Sequence, residues 1–174
     1  MGQLRWGGSI RRAARIGLLT MKHLELTVSV AAPADFVWAA ITDWPRQGEW
    51  MFATTVEQTS SGPNQVGTTI SAFTGFGKLG FLDTMTVTKW EPPFVCDVVH
   101  TGRVVRGTGR FEVRPVTETS CEFIWSEDLN LPLGGIGQFG FMFVQPFFLA
   151  GIRQSLNKFA QQTAREFQQK TSSN

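Results

Sequence analysis

The chain of 174 residues is 42% hydrophobic and 17% charged, and a single domain of this length buries about 70% of the surface its unfolded chain exposes, so folding needs neither metal nor disulfide. Fifteen Phe, six Trp and no Tyr make an interior rich in flat apolar rings and poor in phenolic donors. All fourteen acidic residues but only twelve of the sixteen basic ones lie in 21–174; that slightly acidic body lacks the clustered basic footprint of a nucleic-acid binder, and no nucleic acid is expected as a partner.

Residues 1–20 hold Arg5, Arg11, Arg12 and Arg15 and no acid. Their apolar stretch, Ile16 to Leu19, falls short of the 7–15 residues of a secretory core, so the protein is expected to be cytoplasmic. The leader reads as a disordered tail or as sequence upstream of a start at Met21, with weak contact to an anionic membrane as the alternative. HLELTVSVAA (23–32) alternates as a first strand. PADFVWAAITDW (33–44) then puts Phe36, Val37, Ala40, Ile41 and Trp44 on one helical face behind Pro33, and PRQGEWMF (45–52) adds a short helical turn broken by Gly48. Trp38, Trp44 and Trp50 are expected to anchor both helical pieces to the sheet.

Strands follow at 52–60, 66–77 and 81–93, the last stopped by Pro92-Pro93, then at 94–101, 102–115 and 120–131. Short Gly-, Pro- or Ser-containing connections imply an antiparallel meander. Cys96 and Cys121 lie on strands flanking 102–115, about two strand spacings or 9.5 Å apart, too far to bridge, and read as reduced, buried apolar residues. From 134 to 170 the period becomes helical, with Phe148, Ile152, Leu156, Phe159, Thr163 and Phe167 on one stripe. Pro146 is expected to kink or break that helix. The apolar run from Ile136 to Leu149 is shorter than the roughly 20 residues a bilayer needs.

The predicted fold is α+β: a curved antiparallel sheet of about seven strands wrapped around a long C-terminal helix, with two short helices between strands 1 and 2. Residues 21–170 form this one domain behind the leader. Such a sheet cannot close perfectly on its helix, so a cavity is expected between them. GRVVRGTGRFEVRP (102–115) has Val105, Gly107, Gly109, Phe111 and Val113 on its inner face, and the two glycines are read as permitting a bend and deepening the space beneath it.

The stretch VSVAAPADFVWAAITDWPRQGEWM (28–51), the G-R-x-x-R-G-x-G-R-F strand, WSEDLNLP (125–132) and the terminal helix resemble the START-related polyketide cyclase/dehydrase superfamily, the Bet v 1-like or helix-grip fold. The resemblance covers roughly residues 21–170. It implies an internal cavity for an apolar small molecule and leaves the chemistry open, because lipid carriers, receptors and cyclases share that cavity.

The strand registers point Asp83, Met85 and Val87, Cys96, Val98 and His100, and Cys121, Phe123, Trp125, Glu127 and Leu129 inward. Candidate catalytic residues are His100, Glu127 and Asp83; an inward Glu127 needs a partner, His100 or Arg103. The expected ligand-binding set is Met85, Val87, Val98, Arg103, Val105, Gly107, Gly109, Phe111, Phe123, Trp125, Phe143, Phe148 and Ile152. Phe139, Phe141, Phe143, Phe147 and Phe148, near Gly134, Gly135, Gly137 and Gly140, read as a gate or a stretch buried on several sides. His23 and His100 alone, with no H-x-x-x-H or C-x-x-C, give no metal site, and the absence of a phosphate-binding glycine loop leaves no cofactor expected. The leading expectation is a carrier or binding protein for a hydrophobic small molecule such as a lipid, polyketide or quinone-like compound. A cyclase/dehydratase using His100 with Glu127 or Asp83, and a protein-interaction module without ligand, are the alternatives. An inward His100 in reach of a carboxylate favours the enzyme. Oligomeric state is not legible.

Overall fold

The computed structural model describes residues 21–102, 105–130 and 134–173, with the start of the last helix, 134–144, as backbone alone. The leader lies outside the described residues. In chain order the elements are β1 (Met21–Val30), α1 (Ala34–Ile41), a 3₁₀ segment (Trp44–Glu49), β2 (Thr54–Gln58), β3 (Thr69–Phe76), β4 (Leu79–Glu91), β5 (Val95–His100), β6 (Gly107–Thr117), β7 (Ser120–Asn130) and α2 (Gly134–Ser172). The strands form one antiparallel sheet in the order β1-β7-β6-β5-β4-β3-β2. β2 to β7 are the expected meander, and β1 returns to pair with β7. The chain from β1 to β2 must therefore pass from one edge of the sheet to the other, and α1 and the 3₁₀ segment make that crossing.

Alternation decides which face is buried. Leu24 and Val30 on β1, Val87 on β4, Cys96 on β5, Val113 on β6 and Cys121, Phe123 and Trp125 on β7 are buried, as the registers predicted. Both cysteines are free, and burial pushes their thiols up, to about 12 for Cys96 and about 11 for Cys121, so neither is a nucleophile near neutral pH.

Rings fill the end of the interior beneath α1. Phe123 is fully buried, edge-on to Phe111 and to Phe159 of α2, both at 5.4 Å. Trp50 meets Phe159 at 5.0 Å, Trp44 meets Phe111 at 6.4 Å and Trp38 meets Trp90 at 4.9 Å. The three tryptophans do fasten the helical crossing to sheet and helix. Arg46 closes this end from outside, donating to Glu166 of α2 at 2.6 Å and to Glu49 at 3.1 Å.

Three expectations are corrected. The helix is not broken at Pro146 and runs from Gly134 to Ser172; the proline forgoes one backbone bond where its side is exposed to water. The strand expected from residue 102 starts at Gly107, so Val105 precedes it in the connection and is not one of its inward residues. Gly107 has φ +138, and a Cβ there would collide with the Asp128 carbonyl oxygen. That backbone angle is one that favours glycine, but the space above it is filled by β7 backbone and does not deepen a cavity.

Phe123→Ala removes a ring shared by both layers. It is expected to destabilise the protein by about 3–5 kcal/mol, measured as a lower urea midpoint at unchanged denaturant slope.

Candidate functional site

Three titratable side chains converge on the concave face where β5 ends. His100, the last residue of β5, is opposite Met85 on one side and Gly107 on the other. Its Nδ1 lies 2.7 Å from Asp83 Oδ2 and its Nε2 2.7 Å from Glu127 Oε2. The imidazole is 4% exposed and each carboxylate 12%. Asp83 lies within β4, since the hairpin turn falls at residues 77–78.

Glu127 and His100 reach each other across an intervening strand. β6 separates β7 from β5, a span of about 9.5 Å. Glu127 is opposite Gly109 and His100 opposite Gly107. A Cβ on Gly109 would stand 2.8 Å from Glu127 Oε1, so the carboxylate occupies the volume a side chain would take. The expectation that Gly109 deepens an empty space is thus corrected: the space it leaves holds Glu127.

Burial alone would lower the His100 pKa, but hydrogen bonds to Asp83 and Glu127 and the charges of both raise it to about 10. Burial raises Glu127 above the ordinary carboxylate value, against the pull of His100. The two shifts belong to one cluster. A doubly donating imidazolium between two carboxylates carries a net negative charge away from water, which favours a further proton on Glu127. Among the described residues, the buried Asp83 Oδ1 is a side-chain polar atom with no hydrogen-bond partner. Gly102 passes beside it, a Cβ there lying at 3.3 Å.

The other candidates divide in two. Val87, Phe111 and Phe123 belong to the ring-filled end. Met85, Val98 and Trp125 lie two residues from Asp83, His100 and Glu127 on the same strand faces, Trp125 buried and the others partly so; Phe148 of α2 meets Trp125 at 6.4 Å, and Ile152 one turn on packs partly buried against the core. Arg103 and the Phe143 side chain, with those of Phe139 and Phe141, lie outside the described residues. A pocket of about 400 Å³ opens at the strand ends, lined by Val99, His100, Thr101, Gly102, Arg106, Gly107, Thr108 and Asn130. Apart from His100 and Gly107, sequence reasoning missed this lining, because it took 101–106 for strand; the signal was Gly102, a turn residue between two alternating runs. A second hollow, beside Arg46 and Glu166, measures about 10 Å³, room for one water at most. No group of His, Cys, Asp and Glu among the described residues could hold a metal ion.

The cluster fixes a pH dependence. Unfolded, the imidazole releases its proton near 6.5; folded, near 10. Its stabilisation is therefore complete below about 6.5 and is lost as pH rises through about 10. The thermal midpoint should fall over that window, and the fall should be largely absent from an Asp83→Asn, Glu127→Gln double variant. Gly109→Ala should displace Glu127 and bring the His100 titration, followed by NMR, back toward neutrality.

The family described as polyketide cyclase / dehydrase and lipid transport matches residues 21–163. No curated protein matches the sequence. Among solved structures, the Zhui aromatase/cyclase from Streptomyces superposes with a TM-score of 0.70 at 19% identity, covering 84% of this chain and 95% of that one. Norcoclaurine synthase from Thalictrum flavum, in complex with dopamine and hydroxybenzaldehyde, gives 0.58 at 17%, covering 93% and 97%. A START superfamily protein from Mycobacterium smegmatis gives 0.59 at 14%, covering 84% and 97%. At these identities the structural likeness shows the fold. The match over most of the sequence, on a curled sheet gripping a long helix, shows that the chain belongs to the polyketide cyclase/dehydrase and lipid transport family.

Proposed function

We propose that the protein is an acid–base enzyme of the cyclase/dehydratase kind, acting on a largely apolar small molecule with an enolisable carbonyl. The observation that carries this reading is the Asp83–His100–Glu127 chain, 2.7 Å at each link and turned inward. A passive apolar container gains nothing from burying two carboxylates against one cation, an arrangement that costs several kcal/mol in desolvation. Burial raises the proton affinity of Glu127, the direction in which a carboxylate becomes a better base for proton transfer at carbon.

Both imidazole nitrogens are occupied, so the ligand meets the carboxylates. Glu127, as carboxylate, takes the proton from the carbon beside the ligand carbonyl, and the electron pair moves onto the carbonyl oxygen. His100 compensates the charge this shifts and holds Glu127 in place. In a dehydration, the same proton returns to the departing β-hydroxyl, which leaves as water as the carbon–carbon double bond forms. The partnerless Asp83 Oδ1 is the acceptor that suits a ligand hydroxyl. Met85, Val98, Trp125, Phe148 and Ile152 would hold the apolar remainder.

The carrier reading keeps one observation in its favour, the apolar character of that second group. Proton–deuterium exchange separates the two. With an aryl 1,3-diketone in D2O, the enzyme should accelerate exchange at the carbon between the carbonyls, and Glu127→Gln should reduce the acceleration by about 10²–10⁴-fold while an apolar dye still binds. Binding of the diketone with no accelerated exchange would leave a carrier.

A further inference from the structure

β2, β3 and β4 run beyond the ends of the other four strands, and the β3–β4 hairpin forms the tip. His100, Gly107, Leu129 and Lys22 end or begin their strands level with Met85 and Ile70, whereas β3 and β4 continue to Phe76 and Leu79. Alternation keeps Leu79 and Phe81 on the face that also bears Asp83 and Met85, and Phe76 opposite Leu79, but past the core these residues have little to cover them. Leu79 is 84% and Phe76 70% exposed. Phe52 packs edge-on to Phe76 at 5.9 Å and is itself exposed.

α2 adds to the same end. Phe159 packs near Phe123 and Phe148 near Trp125, so the helix travels toward this end as it is followed back to its start. Ser155 accepts the Phe52 N–H at 3.0 Å. Ser155, Gly151 and Phe147 share one stripe at four-residue spacing, and Phe147 is 79% exposed.

Charge is distributed with the same bias. No acidic residue occurs in 58–82 or in 131–165, although 21–174 as a whole is slightly acidic. Lys78 is in the hairpin turn, and Lys22 is the second residue of β1. Of the acids near this end, Asp83 and Glu127 are engaged with His100 and Asp128 with His23 at 2.9 Å, and Glu57 on β2 is exposed at the base of the projection. An apolar projection tipped by a lysine, with no acid in its own sequence from 58 to 82, is complementary to a surface both greasy and anionic.

We infer that this end of the molecule, the β3–β4 hairpin tip with Phe52 and the Phe147 side of α2, docks on an anionic phospholipid bilayer. Leu79, Phe76 and Phe147 enter the interface and Lys78 meets lipid headgroups. The pocket beside His100 is at the same end of the strands, so an apolar ligand could pass between bilayer and protein without crossing water. The inference is independent of the acid–base reading.

The test is co-sedimentation of the full chain with vesicles of phosphatidylcholine and phosphatidylglycerol at 3:1. Wild type should pellet with them, and 0.5 M NaCl should weaken the binding. The double variant Leu79→Ser, Phe147→Ser should lose about 10- to 100-fold in affinity, whereas Val116→Ser, exposed at the far end of β6, should bind as wild type. Both altered sites are solvent-facing, and near-UV circular dichroism checks that the fold is retained. Leu79→Trp should be quenched by brominated lipid. Residues 1–20 are present in every variant, so unchanged binding by the double variant would assign the contact to them and overturn the inference. Wild type left in the supernatant would overturn it, as would self-association in sedimentation velocity that the double variant abolishes, since the face would then be an interface between copies.

Discussion

The hydrogen bond between Glu127 on β7 and His100 on β5 is the constraint around which the ligand end is built. Neighbouring strands bring inward side chains side by side, but residues two strands apart are normally separated by whatever the middle strand carries. Here the middle strand carries Gly109 and Gly107 at the two intervening positions. A single methyl at Gly109 would contest the place of Glu127 Oε1. The two glycines have different duties: Gly109 yields side-chain volume, and Gly107, at φ +138 against the backbone of Asp128, yields conformation.

The interior is consequently two environments in series. Beneath α1, interlocking rings and the Arg46–Glu166 bond fix the C-terminal half of α2 to the sheet. Toward the strand ends the rings give way to Met85, Val98 and Phe148, partly exposed, and then to a buried polar cluster. Interaction free energy gathered at the first end can hold strain and uncompensated charge at the second, the usual relation between a scaffold and a reactive site.

Much of this was legible in the sequence. The two-residue period placed Asp83, His100 and Glu127 on the inner face, and the spacing of Phe148, Ile152, Leu156 and Phe159 placed the helix stripe, because burial of one face dictates both periods. What periodicity could not convey was contact across β6, which depends on register between strands distant in sequence. Nor could it convey where β6 begins. Val105 and Arg106 continue the alternation of the strand that follows, while the pairing starts at Gly107, whose backbone angle no hydrophobic pattern reports. The helix does not break at Pro146 for a related reason: a proline's lost bond is tolerable in a long helix where water reaches that side. The pocket lining escaped because Thr101, Arg106 and Asn130 have the phase of surface residues.

The pairing of β1 with β7 has a consequence of another kind. Met21 is opposite Asn130, so β1 completes its pairing only after more than a hundred residues have followed, and α2 arrives later still. Until then Leu24, Val30 and the crossing helix must wait with their apolar faces uncovered. Nascent chains of this topology close slowly, in the regime of long-range β pairing, and their vulnerable interval is synthesis itself. The polar His23 and Glu25 along that waiting edge discourage it from pairing with a stranger first.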